Sequence, residues 1–127
     1  MARREDPIHR AILQYLRIAL PGALVVHAAN EVALSGSEVA RAISKAKSLG
    51  MVPGFPDLVV FPASSVGPLF FEVKAKGGTL SAAQRDVTAT LDGLGYRVAL
   101  VRSIEDVAAR LADWGIPNRV PFRGVVR

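Results

Sequence analysis

The chain has 127 residues, no cysteine, two histidines and a net charge of +5, with sixteen Lys and Arg against eleven Asp and Glu. That length predicts one domain over 1–127, large enough to bury a core without covalent staples. The missing cysteines exclude disulfides, thiolate metal sites and cysteine nucleophiles, and two histidines make a zinc site of nitrogen ligands a poor fit. Any metal here must be held mainly by oxygen, and the basic balance favours an anionic partner such as nucleic acid.

The longest apolar stretch, Ala19 to Ala29, is interrupted by Pro21-Gly22 and His27, so no membrane span is expected. The opening Met-Ala-Arg-Arg-Glu-Asp-Pro leads into no apolar leader core. An intracellular, cytoplasmic protein is therefore expected.

Asp6-Pro7 reads as a helix start, with Asp6 as cap and Pro7 in the first turn. Ile8, Ile12, Leu13, Leu16 and Leu20 follow at helical spacing until Pro21-Gly22 stops the helix. Leu24 to His27 reads as a short strand. Ser37 to Leu49 reads as a helix with a weak apolar stripe, closed by Gly50. The period then changes. Leu58 to Phe61 and Leu69 to Lys74 are short β-branched and aromatic runs joined by a Pro-, Ser- and Gly-containing loop, which predicts an antiparallel hairpin. A helix from Ser81 to Leu94 should place Val87, Leu91 and Leu94 on one face. Arg97 to Val101 is a strand. Ser103 caps a last helix with Ile104, Val107, Ala108, Leu111 and Trp114 inward. Interleaved helices and strands argue an α/β fold, a small mixed β-sheet flanked by helices.

The chemistry concentrates at Asp57, Glu72 and Lys74. Asp57 opens one strand of the hairpin and the other two close its partner, so the three can converge. Glu72 and Lys74 are two apart on one strand face. Charges in a run as apolar as Leu69 to Val73 cost free energy unless they are paired or bind something. One account is an edge-strand salt bridge, with Asp57 as a turn residue. The other is an oxygen site for Mg²⁺ or Mn²⁺, with Lys74 beside a phosphate. Gln84 shares the face of Val87 and Leu91 and could reach that site, or it could close a capping box with Ser81. Gly77-Gly78 reads as a turn, or as a place where backbone amides approach a phosphate. His9 and His27 read as surface or partly buried residues rather than ligands. Arg3, Arg4, Arg10, Arg17, Lys45, Lys47, Lys74 and Lys76 could track phosphates, or be simply solvated.

The set Gly54-Phe55-Pro56-Asp57, fourteen residues, Glu72-Val73-Lys74, then Gly77-Gly78-Thr79-Leu80-Ser81-x-x-Gln84, resembles the VRR-NUC domain, a branch of the PD-(D/E)XK nuclease superfamily. Val101-Arg102-Ser103 looks like the Val-Arg-Arg element that names the family, with Ser103 in the third place. Pro21-Gly22 and His27-Ala28-Ala29-Asn30-Glu31 resemble its early segment, while Val32-Ala33-Leu34-Ser35-Gly36 replaces the basic, polar stretch that often follows. The resemblance implies a restriction-endonuclease-like core of the stand-alone type found in bacteria and phages, so the cytoplasm would be that of a bacterium or a phage-infected host. It implies Asp57 and Glu72 as metal ligands for Mg²⁺ or Mn²⁺, Lys74 as water-orienting base or charge stabiliser, and Gln84 as support. It also implies an acidic residue on the first helix, for which Glu5 fits best and Asp6 competes. It further implies a homodimer that cuts branched DNA such as four-way (Holliday) junctions. A catalytically silent DNA-binding module and a sequence-specific restriction-like nuclease are the alternatives.

Overall fold

The two most apolar runs become the centre of a sheet, and the other elements arrange around them. The computed structural model describes residues 5–28, 37–63 and 65–119. In chain order these form α1 (Asp6–Ala19), β1 (Leu24–His27), α2 (Ser37–Ser48), β2 (Leu58–Phe61), β3 (Leu69–Val73), α3 (Ala82–Gly93), β4 (Arg97–Val101) and α4 (Ile104–Asp113). The order matches the one read from periodicity and caps. Arg3, Arg4, residues 29–36, Ser64 and the tail from 120 lie outside the described residues, so the expectations placed on them have no structural counterpart here.

The strands form one sheet in the order β1-β2-β3-β4. β1 pairs with β2 and β2 with β3 antiparallel, whereas β3 and β4 run parallel across the α3 connection. This is the expected mixed α/β sheet. All five residues of β3 are buried, as are Leu58, Val59 and Val60 of β2. A strand covered on both faces needs apolar residues on both, which is why neither run alternates in sequence.

The main core lies on one face of the sheet. Ile12, Leu16 and Ala19 of α1 and Val107 and Leu111 of α4 meet Leu58, Val60, Leu69, Phe71, Val73, Ala99 and Val101. Each large aliphatic side chain buried this way contributes roughly 1.5–3 kcal/mol. Trp114 packs tilted on Phe71 at 5.7 Å between ring centroids. On the other face, Phe70 meets Phe55 and Tyr96 edge to face at 5.8 and 5.9 Å, and α3 lies along β4. α2 buries no side chain, as its weak stripe foretold.

Four local expectations need correction. Glu5, not Asp6, occupies the N-cap position of α1, and no side chain caps that end; Asp6 is already helical. Leu94 does not share the inward stripe of α3: it is the C-cap, where the backbone bends to bond Asp92 and Thr90 carbonyls, and its side chain is 68% exposed. Ile104 and Ala108 of the last helix are only partly buried, because the full packing contact falls to Val107 and Leu111, whereas Trp114 packs against the core as expected. Finally, β3 is an interior strand between β2 and β4, so Glu72 and Lys74 do not form an edge-strand pair. No helix among the described residues is long and apolar enough to cross a membrane.

Candidate active site

Strand register brings the two carboxylates together. Leu58 pairs with Phe71 in the antiparallel β2/β3 ladder. One further step along that register sets Asp57 opposite Glu72, and directly opposed residues share a sheet face. Asp57 is held in place from two sides. Its Oδ2 accepts a hydrogen bond from the Val73 backbone N–H at 2.9 Å, and its carbonyl accepts one from Ala28 N–H at 2.8 Å, at the end of β1.

Glu72 is only 4% exposed, and it is the single buried charged side chain among the described residues. Its Oε2 accepts a hydrogen bond from Gln84 Nε2 at 2.9 Å and lies 4.0 Å from Lys74 Nζ. Its Oε1 is buried and has no hydrogen-bond partner among the described residues. Burial pushes the Glu72 carboxyl up to about 8. The Asp57 charge and a proton that the two carboxyls can share push in the same direction, Lys74 opposes them, and Glu5 adds to the rise. Two adjacent carboxylates cannot both keep full charge in such a place without compensation, so the pair holds either a proton or a cation.

The fit to a cation rests on Glu72 Oε1, which has no hydrogen-bond partner among the described residues, on a carboxyl that interacts with Asp57. The donors are all oxygen, which suits a hard divalent ion such as Mg²⁺ or Mn²⁺. Among the described residues no group of three or more His, Asp or Glu side chains gathers to hold a metal. The protein would therefore supply two carboxylates and leave the remaining positions to water and substrate oxygens, as Mg²⁺ sites commonly do.

Gln84 satisfies both accounts that its position allowed, because its amide has two ends. Oε1 accepts from the Ser81 backbone N–H at 2.8 Å while the Gln84 backbone N–H donates to Ser81 Oγ at 3.1 Å, closing the capping box. Nε2 remains for Glu72. The cap fixes the amide, and the amide fixes the carboxylate.

Glu5 and Asp6 stand at the start of α1 and line a cleft of about 310 Å³ with His9, Arg10, Leu13, His27, Asp57 and Val73. Of the two, Glu5 is the one whose charge reaches Glu72. The His9 and His27 rings meet edge to face at 4.7 Å in this cleft, His9 partly buried and His27 exposed, as expected of surface or partly buried residues. One helical turn separates Glu5 from His9, which sets both on the same side of α1. A second concavity of about 300 Å³ lies at the other end of α1, against Leu20, Pro21, Pro62 and Ile116, and no carboxylate lines it.

Gly54 and the glycines after Lys74 are structural parts of the site. Gly54 has φ +84°, and a Cβ there would lie 2.4–2.6 Å from the backbone of Ala83 and Gln84. Only glycine lets the strand lead-in touch the first turn of α3 so closely. Gly77 also has φ +84°, in a tight turn closed by Gly78 N–H donating to the Ala75 carbonyl at 2.9 Å. The turn account of this pair is thus the one with observed bonds. Arg10, Arg17, Lys45, Lys47 and Lys76 are exposed, whereas the Lys74 side chain is 16% exposed.

Comparison with known proteins agrees with this geometry. Two solved structures share the fold: one titled "VRR_NUC domain protein", at 20% identity and TM-score 0.66 over 90% of this chain and 89% of that one, and one titled "VRR_NUC domain", at 22% identity and TM-score 0.57 over 88% of this chain and 97% of that one. No curated protein sequence matches. The family model for the VRR-NUC domain matches residues 3–105, which takes in Asp57, Glu72, Lys74 and Gln84, and the chain therefore belongs to the VRR-NUC domain family, a nuclease family of the PD-(D/E)XK superfamily.

Proposed function

We propose that this chain is a Mg²⁺- or Mn²⁺-dependent endonuclease that hydrolyses phosphodiester bonds in branched DNA, four-way junctions above all, and that it works as a homodimer. The observation that carries the metal-dependent reading is a buried Glu72 with one oxygen unpartnered, beside Asp57 and Lys74. Asp57 and Glu72 would hold the ion. A divalent cation there supplies charge neutralisation at the phosphate and a more acidic water.

The chain's own residues do the rest. The Val73 amide orients the Asp57 carboxylate, and the Gln84 amide orients that of Glu72. Lys74, next to Glu72, donates from Nζ and stabilises the negative charge that grows on the phosphate. Burial strengthens each of these interactions by lowering the local dielectric. Glu5 adds negative charge at the mouth of the cleft, where it favours retention of the cation. Each chain offers one such site, and a two-fold dimer would present two to opposing strands of a branched substrate.

The test is cleavage of a panel of four-way junction, 5′ flap, single strand and linear duplex, with Mn²⁺ and with EDTA, alongside a solution mass measurement. Junction cleavage that needs the metal, from a dimer, is expected. Lys74→Ala should remain folded and lose cleavage by about 10²–10⁴-fold. Binding of DNA with no metal-dependent cutting of any substrate would instead identify a silent binding module. Cutting of linear duplex at one sequence would point to a restriction-like enzyme.

A further inference from the structure

The Lys74 ammonium has only a weak hold on its position. Its charged neighbour among the described residues, Glu72 Oε2, is 4.0 Å away, beyond a hydrogen bond. A lysine carries about 2 kcal/mol of rotamer entropy, so a loose ion pair does not by itself fix Nζ. Something must restrain the stem.

The restraint visible in the structure comes from β4. Lys74 N–H donates to the Val101 carbonyl at 3.0 Å, which carries the parallel β3/β4 ladder one residue past Val73. Arg102 thereby follows beside Lys74. Its backbone N–H donates to Asp106 Oδ2 at 2.8 Å, and Asp106 N–H donates to Ser103 Oγ at 3.1 Å. This reciprocal cap on α4 fixes the Arg102 backbone. From there the guanidinium Nη2 donates to the Gly78 carbonyl. Gly78 in turn faces the Lys74 stem: a Cβ placed on it would come within 3.6 and 3.7 Å of Lys74 Cβ and Cδ.

We propose that Arg102 is a positioning residue for Lys74, acting through the Ala75–Gly78 turn that it clamps over the lysine stem. The contact runs from the start of α4 through Arg102 and Gly78 to Lys74. The turn carries two glycines, whose backbone has the most freedom to lose. Its backbone closes through the Gly78-to-Ala75 bond. Removing the guanidinium takes away the side-chain hold on the Gly78 carbonyl, and the lysine stem loses its roof. The kinetic part of this proposal rests on the nuclease reading, while its spectroscopic part does not.

The test uses Arg102→Met, which keeps an apolar stem and removes the donors, with Arg102→Lys as the conservative variant and Arg102→Ala as the full truncation. Lysine side chains are labelled with ¹³C at Cε, and the Lys74 signal is assigned by its loss in Lys74→Arg. In the parent chain, Lys74 should show restrained, inequivalent Cε protons. In Arg102→Met they should collapse to the averaged signal of exposed Lys45 and Lys47, which themselves should not change. Arg102→Lys should fall between. Kinetically, kcat should drop by about tenfold to a hundredfold with KM unchanged, the scale expected of a displaced catalytic group. A Lys74 signal unchanged in folded Arg102→Met overturns the proposal. So does a raised KM with unchanged kcat, which would make Arg102 a direct phosphate contact. If the parent cuts no substrate, the nuclease reading fails and the Lys74 signal still decides this one. If Arg102→Met does not fold, the Arg102→Lys signal decides.

Discussion

Glu72→Gln should destroy cleavage and yet make the metal-free protein more stable at alkaline pH. The substitution keeps the shape and keeps an oxygen to accept the Gln84 Nε2–H, and it removes only the charge. Burial and Asp57 raise the Glu72 carboxyl from 4.5 to about 8 in the folded chain. Between those values the folded protein holds a proton that the unfolded chain releases. The slope of stability with pH follows the protons bound by the unfolded state minus those bound by the folded one, which is negative here. Stability is therefore fully present below pH 4.5, falls as pH rises through the window, and levels off above about 8. One pKa unit corresponds to about 1.4 kcal/mol, so the loss from this group by pH 8 is on the order of 4 kcal/mol. Urea denaturation in EDTA at pH 5 and pH 8 measures it. The variant-minus-parent difference should be small at pH 5 and favour Gln at pH 8. Excess Mn²⁺ should then narrow the gap by stabilising the parent, by about 3 kcal/mol at a hundred times its Kd, and the variant much less. Parallel pH dependences for the two proteins would refute the reasoning, because Glu72 would then carry no unusual proton.

Other residues give sharper local tests. Gln84→Glu can still accept from Ser81 N–H but sets a carboxylate against Glu72 Oε2, so the helix cap should survive while activity falls and the unfolding free energy drops by about 1–2 kcal/mol; a variant with parental cleavage would remove Gln84 from the site. Gly54→Ala should cost about 3 kcal/mol or more, since its Cβ would meet backbone at 2.4 Å as well as a left-handed φ. Gly77→Ala has the same φ with open space around it and should cost only about 1 kcal/mol; equal losses on chemical denaturation would discredit the clash at Gly54. Tyr15 Oη is buried with no hydrogen-bond partner among the described residues, and burial raises its pKa. Tyr15→Phe should therefore hold or raise stability by about 1 kcal/mol, and a fall in melting temperature would show a bond to that hydroxyl.

The parts of the site that were legible in the sequence are those set by local or antiparallel geometry. The turn and strand lengths around Leu58 to Val73 leave little choice of register, so the meeting of Asp57 and Glu72 follows from hairpin logic. Ser81 and Gln84 lie one helical turn apart, and their cap could be read directly. The depth of Glu72 could not. It depends on β4 closing the far side of β3, and parallel pairing across α3 leaves no short-range signature. His27 reaches the cleft through an antiparallel pairing of a different kind: its register with Leu58 joins segments 31 residues apart, with no short turn between them to announce it. The need for glycine at position 54 arises only when α3 arrives against it. The misplaced cap on α1 has a different origin. Asp6 and Glu5 are equally plausible neighbours of Pro7, and the helix began one residue earlier than the capping preference of Asp suggested.

These observations also bear on why the acidic pair tolerates its surroundings. A buried carboxylate beside another is a liability for folding, and the chain offsets it with few means: one amide from Gln84, one backbone N–H on Asp57 and a lysine at the limit of ion-pair distance. None of these reaches Oε1. An ion pair evolved for stability would satisfy that oxygen, since a half-satisfied buried charge is worse than an apolar core. The arrangement makes sense if the missing partner is a ligand, so that stability is withheld from the empty site and returned on binding. The metal-dependent gain in stability is thus the observation that separates a working site from a vestigial one, and it can be read before any DNA is added.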